Sequence, residues 1–273
     1  SIERAILGGR LSANVSFAFT SAYQSAIEYL FKPNSIELAS FCVTEKKGNH
    51  PRAIETSLSI ESGQVKLSGK KQFVSGADDA QRLYIACLDQ REASSQDAEG
   101  RPKIVMVSVS ATDAGVNIEK MPALGFVPDV SHGKLYLDQV SISPEQILAG
   151  DGYLNYVKAF RTVEDLHVIA SLVAYRLGEA IEGEWPQSFV EGHISLLLAL
   201  HSLSQMNLNL PSAHIALAAC RTSFHELINQ TDGFFETSKP DAFSSWCRDR
   251  VLLNVAKDAH LTRTERAWQD FRR

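Results

Sequence analysis

Two stretches decide the fold of this 273-residue chain: Phe41-Cys42-Val43-Thr44-Glu45 and Ser68-Gly69-Lys70-Lys71-Gln72-Phe73-Val74-Ser75-Gly76. Each is short, carries β-branched or aromatic residues and closes on polar or glycine positions, the make-up of a strand with its turn. Working outward from them, the period of the apolar residues changes twice. Before Pro33, residues Ala5, Ile6, Leu11, Val15, Phe19, Ala22, Ala26, Ile27 and Leu30 fall at helical spacing, and Lys32-Pro33-Asn34 reads as a turn because proline restricts its predecessor. Over 36–148, short alternating runs such as Leu83-Tyr84-Ile85-Ala86, Ile104-Val105-Met106-Val107 and Lys134-Leu135-Tyr136-Leu137 predict six or seven strands, hence a β-barrel or sandwich. After Gly152 the strand signal ends and Ala and Leu return at three-and-four spacing, with Pro186 and Pro211 as breaks and 246–273 reading as one long helix. The fold class is α+β in three blocks: a helical segment at 1–35, a β-barrel-like middle domain at 36–150 and a C-terminal helical bundle at 151–273.

Composition narrows the function by exclusion. Hydrophobic residues make up 44% of the chain, enough for a substantial core. The net charge is -5 and Lys and Arg are scattered, which gives no basic footprint for nucleic acid or anionic lipid. Cys42, Cys87, Cys220 and Cys247 lack Cys-x-x-Cys spacing, so neither a zinc site nor a disulfide framework is expected, and a reducing, cytoplasmic setting is. The apolar run 196–200, like every other in the chain, is far short of the roughly 18 residues of a membrane span. The polar stretch 90–103 reads as an exposed hairpin loop. His193, His201, His214 and His225 lack His-Glu-x-x-His spacing, so no metal is expected. Gly8-Gly9 lacks the further glycines and preceding strand of a dinucleotide fingerprint, and no Gly-x-Ser-x-Gly elbow is present.

The two opening segments resemble the flavin-binding middle domain of the acyl-CoA dehydrogenase family. There the first segment ends hydrophobic-Thr-Glu and the second reads Gly-x-Lys-x-Trp-Ile-Thr/Ser, with Phe73 and Val74 standing here for Trp and Ile. Leu124-Gly125-Phe126, the run 133–140 and Ile147-Leu148-Ala149-Gly150 resemble the close of the same domain, and Arg248-Asp249 resembles the pair that opens the family's last long helix. Members carry a longer helical domain before this point, so 1–35 reads as its remnant. The resemblance implies an oxidoreductase of fatty acid metabolism that binds FAD, takes acyl-CoA or a similar small molecule and assembles as a homodimer or homotetramer. It also implies that Cys42, Val43 and Thr44 line the flavin ring, that Phe73 and Val74 lie beside it, and that Ser75 hydrogen-bonds its polar edge.

The chain departs from the family at three places. Lys46-Lys47-Gly48-Asn49-His50-Pro51 replaces a small-residue loop, and adjacent lysines there read as a phosphate contact or as a solvated pair. Lys257 holds the position of the usual catalytic Glu, and a lysine with an ordinary pKa is protonated near neutrality and takes no proton. Some members place the base on the first helix of the C-terminal bundle. The resemblance then points to Asp165 as the base, with Glu164 beside it, although both also suit an N-terminal helical turn as partners of the helix dipole. The Arg-x-x-Phe-Gly segment that reaches the partner's FAD is unmatched, only one glycine of the glycine-rich segment survives at Gln230-Thr231-Asp232-Gly233-Phe234, and the stretch after Gly178 reads as lean in helix. The function implied is α,β-dehydrogenation of an acyl thioester. The alternatives are a non-catalytic paralogue that keeps the fold for assembly or ligand binding, and a flavin monooxygenase on the same fold, which needs no α-proton base.

Overall fold

The structure, a computed structural model, describes residues 1–48, 50–91 and 100–273; Asn49 and 92–99, which hold most of the expected hairpin loop, lie outside the described residues. Two helices open the chain, α1 (Ile2–Leu11) and α2 (Val15–Phe31). Seven strands follow: β1 (Ala39–Cys42), β2 (Ser57–Glu61), β3 (Gln64–Ser75), β4 (Arg82–Asp89), β5 (Ile104–Ser110), β6 (Val116–Lys120) and β7 (His132–Ser141). A wide π-type turn then leads into α3 (Lys158–Glu182), α4 (Gln187–Ser204), α5 (Pro211–Ser238), α6 (Pro240–Asp249) and α7 (Lys257–Phe271). The α+β architecture and both changes of period are as expected. The chain divides into two compact units, one of Ser1–Tyr29, Leu124–Asp129 and Arg161–Arg273, the other of Leu30–Ala123 and Val130–Phe160.

In the β unit the strand order is β1-β4-β2-β3-β7-β6, with β5 on the other side of β4. β1 and β2 both run parallel to β4, β1 along Arg82 to Ile85 and β2 at Leu88 and Asp89, while the remaining pairs are antiparallel. Leu58, Leu67, Leu83, Ile85, Val107, Val109 and Leu135 form the centre of the core. Gly69 has φ +152, and a Cβ there would lie 2.6 Å from the Thr56 Cα, so only glycine lets β3 pass this close to the entry of β2.

Among these apolar residues sits a complete ion pair. The side chain of Lys71 is wholly inaccessible, and its Nζ donates to Glu45 Oε1 at 2.7 Å, Ala86 O at 2.6 Å and Val43 O at 3.4 Å. The Glu45 carboxylate also accepts from the backbone N–H groups of Glu55 (2.8 Å) and Thr56 (3.1 Å). Each donor of the ammonium and both carboxylate oxygens are therefore engaged, the condition under which a buried pair is tolerated. Burial pushes the Lys71 pKa down despite Glu45. For Glu45, burial pushes the other way from its partners, but Lys71 and the two N–H groups outweigh it and the pKa is lowered.

The helical unit is built around a second buried cation. Arg176 of α3 lies 4.9 Å from the Trp185 ring, 4.7 Å from Phe235 and 4.9 Å from Trp246, and its Nη2 donates to Thr231 Oγ1 at 2.6 Å. One guanidinium thus joins α3, the α3–α4 connection, α5 and α6. Gly9 of α1 packs on α3 so closely that a Cβ would fall 2.0 Å from the Ser171 carbonyl oxygen; the glycine pair at 8–9 serves helix crossing.

Two expectations for this region are corrected. The segment 246–273 is not one helix: α6 ends at Asp249, a tight turn covers Arg250–Asn254, and α7 begins at Lys257. A continuous helix would need the Leu253 carbonyl as acceptor for the Lys257 N–H, and Arg221 Nη1 takes that carbonyl instead at 2.7 Å. The stretch after Gly178 is not lean in helix either, since α4 and α5 run 18 and 28 residues, each starting next to or on its proline.

Removing either partner of the β-unit pair, by Lys71→Ala or Glu45→Gln, is expected to cost roughly 3 to 5 kcal/mol in urea denaturation. Lys120→Ala, which breaks an exposed pair with Asp78, should leave the midpoint unchanged. The lowered Glu45 pKa adds a sign: its contribution is complete above the ordinary value of 4.5 and is lost as pH falls through the lower folded value, so stability should fall less steeply below pH 4.5 in the Glu45→Gln variant than in wild type. Arg176→Ala is expected to lower stability by a similar roughly 3 to 5 kcal/mol on the same assay.

Candidate functional site

The two segments that opened the sequence are neighbours in the β unit. The Gln72 N–H donates to the Thr44 carbonyl at 2.8 Å, and Ser40 Oγ donates to the Ser75 carbonyl at 2.6 Å, so the end of β1 lies along the last residues of β3. What β3 shows at this edge is set by a bulge. Its register with β7 steps from Lys71↔Leu135 to Val74↔Gly133, three residues against two. The extra residue resets the alternation: Lys71 and Val74 both point inward, and Phe73 turns out with φ +55 and half its surface exposed. A left-handed φ on an aromatic residue is a backbone outlier that costs about 1 to 3 kcal/mol.

The six residues expected to meet a cofactor therefore separate by exposure. Cys42, Val43 and Val74 are buried, Cys42 and Val74 within the core cluster, and burial pushes the Cys42 thiol up to about 12. Their side chains form the floor of the edge. Thr44, Phe73 and Ser75 are accessible on its surface. Beside them is a residue that the sequence reading passed over: His132, register partner of Ser75, whose Nε2 lies 3.4 Å from Ser75 Oγ while its Nδ1 lies 3.0 Å from the Val130 carbonyl. Burial holds the His132 pKa below the ordinary imidazole value. The lysine loop makes a tight turn in which Glu45 and Gly48 exchange backbone hydrogen bonds of 2.9 Å. Lys47 is paired there with Glu55, and Lys46 is exposed.

The carboxyl pair on α3 also separates. Asp165 is enclosed by Arg263, by Arg221 at 3.6 Å and by the His260 ring at 2.8 Å. Burial alone would raise its pKa, but the His260 hydrogen bond and the Arg263 charge outweigh it and hold the carboxyl below the usual range. Asp165 thereby ties α3 to α5 and α7. Glu164, half-buried, has no hydrogen bond or ion pair among the described residues, and burial, aided by the neighbouring Asp165 charge, pushes its pKa up to about 8. Lys257 and Asp258 are exposed in the first turn of α7. Asp249 is fully buried and accepts from the Val127 N–H at 2.7 Å and from Arg248, so the Arg-Asp pair anchors 124–129. Gln230-Thr231-Asp232-Gly233-Phe234 is mid-helix in α5, where Thr231 and Asp232 hold Arg176. A cavity of about 380 Å³ in the helical unit is lined by Arg10, Glu179, Glu182 and Lys239, and each of these cations is already ion-paired. Among the described residues no group of three His, Cys, Asp or Glu side chains is placed to hold a metal, and no helix is long and apolar enough to cross a membrane.

At the level of sequence, neither a family model nor a curated protein matches the chain. Solved structures do. Butyryl-CoA dehydrogenase from Megasphaera elsdenii is similar with a TM-score of 0.73 at 12% identity, over 98% of this chain and 81% of that one. Indole-bound TdsC from Paenibacillus sp. A11-2 gives 0.69 at 14%, over 99% and 83%. PigA with FAD and proline gives 0.69 at 11%, over 97% and 80%. The chain has the acyl-CoA dehydrogenase fold, as its two opening segments implied.

The two acids of α3 make opposite predictions. Asp165→Asn leaves two guanidinium groups without their carboxylate and should cost roughly 3 to 5 kcal/mol. Glu164 is protonated in the folded chain and ionised in the unfolded one between about pH 5 and 8, so the folded state binds the extra proton there and stability falls as pH rises. Glu164→Gln should therefore flatten the decline in urea midpoint between pH 5.5 and 8 and leave the value at pH 5.5 nearly unchanged.

Proposed function

We propose that this chain is a flavin-dependent oxidoreductase that binds FAD at the Thr44–Phe73–Ser75 edge and dehydrogenates an acyl thioester such as an acyl-CoA. The observation that carries this reading is Phe73: an aromatic ring turned outward by a bulge, half exposed and in a left-handed conformation. Strain kept at an exposed aromatic residue suits a surface that a flat ring covers. The residues present fit a flavin in kind, with one apolar ring face, the Thr44 and Ser75 hydroxyls for the polar edge, and a rigid buried floor. PigA, a protein of this fold solved with FAD, lends the cofactor its identity.

When bound, a flavin supplies a two-electron acceptor. The rest falls to the chain itself. Oxidation next to a thioester carbonyl needs a carboxylate that takes the α-proton near neutral pH, and the pair on α3 divides that requirement. Asp165, the residue that the resemblance singles out, is a weak base where it stands, because His260 and Arg263 stabilise its ionised form. Glu164, with a pKa of about 8, changes charge near neutrality, as a general base should. We assign the base to this pair, with Glu164 as the group that exchanges the proton, its pKa raised by burial and further by the Asp165 charge. A flavin monooxygenase on the same fold is the second reading, favoured by the exposed lysine at 257, where the usual carboxylate is absent.

Purified protein should take up FAD and show bound-flavin absorbance. Phe73→Gly should abolish retention through gel filtration while raising stability by up to about 1 kcal/mol, because glycine adopts the left-handed φ without strain. In protein that holds FAD, Glu164→Gln should stop bleaching by acyl-CoA and leave flavin binding intact. A wild-type chain that takes up no FAD in excess contradicts the proposal, and one that binds FAD, is not bleached by acyl-CoA and, once its flavin is reduced by an added reductant, consumes oxygen to oxygenate an organic substrate supports the second reading.

A further inference from the structure

We propose that His132 is a positioning residue that fixes the direction of the Ser75 hydroxyl, so that Ser75 meets a bound ring as a hydrogen-bond acceptor and not as a donor. The consequence for a cofactor rests on the flavin reading above; the geometry does not. Ser75 and His132 are directly opposed on β3 and β7. His132 Nδ1 faces the Val130 carbonyl at 3.0 Å, and a carbonyl oxygen can only accept, so Nδ1 carries the proton. The imidazole is buried, which disfavours a second proton, so Nε2 keeps its lone pair, 3.4 Å from Ser75 Oγ. The serine is therefore the donor of that contact. The Ser75 carbonyl accepts from Ser40 Oγ at 2.6 Å, which pins the strand end.

With its proton committed to His132, Ser75 Oγ offers lone pairs only. A ring nitrogen that carries a proton after reduction and a bare lone pair before it is matched by such an oxygen in the reduced form and opposed by it in the oxidised form. A serine free to rotate would serve both forms. His132 thus biases the edge towards the reduced cofactor by about one hydrogen bond, roughly fivefold in relative affinity.

Two measurements test this. The first needs no cofactor: ¹⁵N NMR of the imidazoles in flavin-free protein should show His132 as the neutral Nδ1–H form, unchanged in Ser75→Ala because Val130 sets it. An Nε2–H form or a protonated ring at neutral pH overturns the proposal. The second uses protein loaded with FAD. His132→Phe should tighten oxidised FAD roughly fivefold relative to reduced, a fall of about 20 mV in a two-electron midpoint potential. His132→Gln, whose amide oxygen can accept the same hydrogen, should retain most of the wild-type potential. In a Ser75→Ala background His132→Phe should have no effect. An equal shift in that background, or none in the wild type, overturns the proposal. Protein that binds no FAD but shows the Nδ1–H form removes the flavin reading and leaves the positioning intact.

Discussion

The buried pair of Lys71 and Glu45 is the constraint on which the β unit depends. Lys71 reaches from β3 to the end of β1 through Val43 and to β4 through Ala86, and Glu45 carries the link on to the backbone at 55–56. Four segments distant in sequence are thus held by two side chains. An ammonium without its carboxylate would be an unpaired charge in a core of Leu, Ile and Val, so the pair permits one arrangement of these segments and penalises others. That arrangement places Thr44 against Gln72 and, one bulge later, presents Phe73 and Ser75 beside it.

The helical unit uses charge in the same way. Arg176 in its aromatic cage and Asp165 between two guanidinium groups and the His260 ring each fasten several helices. Glu164 differs from both. It has no partner among the described residues, and its burial opposes ionisation. A carboxyl that folding leaves unpaired beside one that folding fully pairs is the pattern by which two acids come to have different roles.

Much of the fold was legible because it is written in period. The change at Pro33, the alternation through β4, β5 and β7, and the prolines before α4 and at the head of α5 are all local signals. The break after Asp249 was not, because what ends the helix is a guanidinium 32 residues away that takes the Leu253 carbonyl. At the site, the two segments were found from their residue types, but which side chains they expose was not. Period two places Phe73 on the inner face with Lys71, and only the bulge turns it out. Lys71 was itself readable: it continues the inward series of Leu67 and Gly69, and a lysine on that face asks for a carboxylate. His132 gave no motif, only an inward position at the head of β7 opposite Ser75.

Hydrogen–deuterium exchange with and without added FAD, resolved to peptides, tests most directly whether a flavin sits on this edge. Protection on binding should appear in peptides covering 40–45 and 69–76 and extend to 130–134, with the β2–β3 turn at 61–64 unchanged. Saturating FAD that leaves 40–45 and 69–76 exchanging as before, or that protects another surface instead, would contradict the assignment of the site.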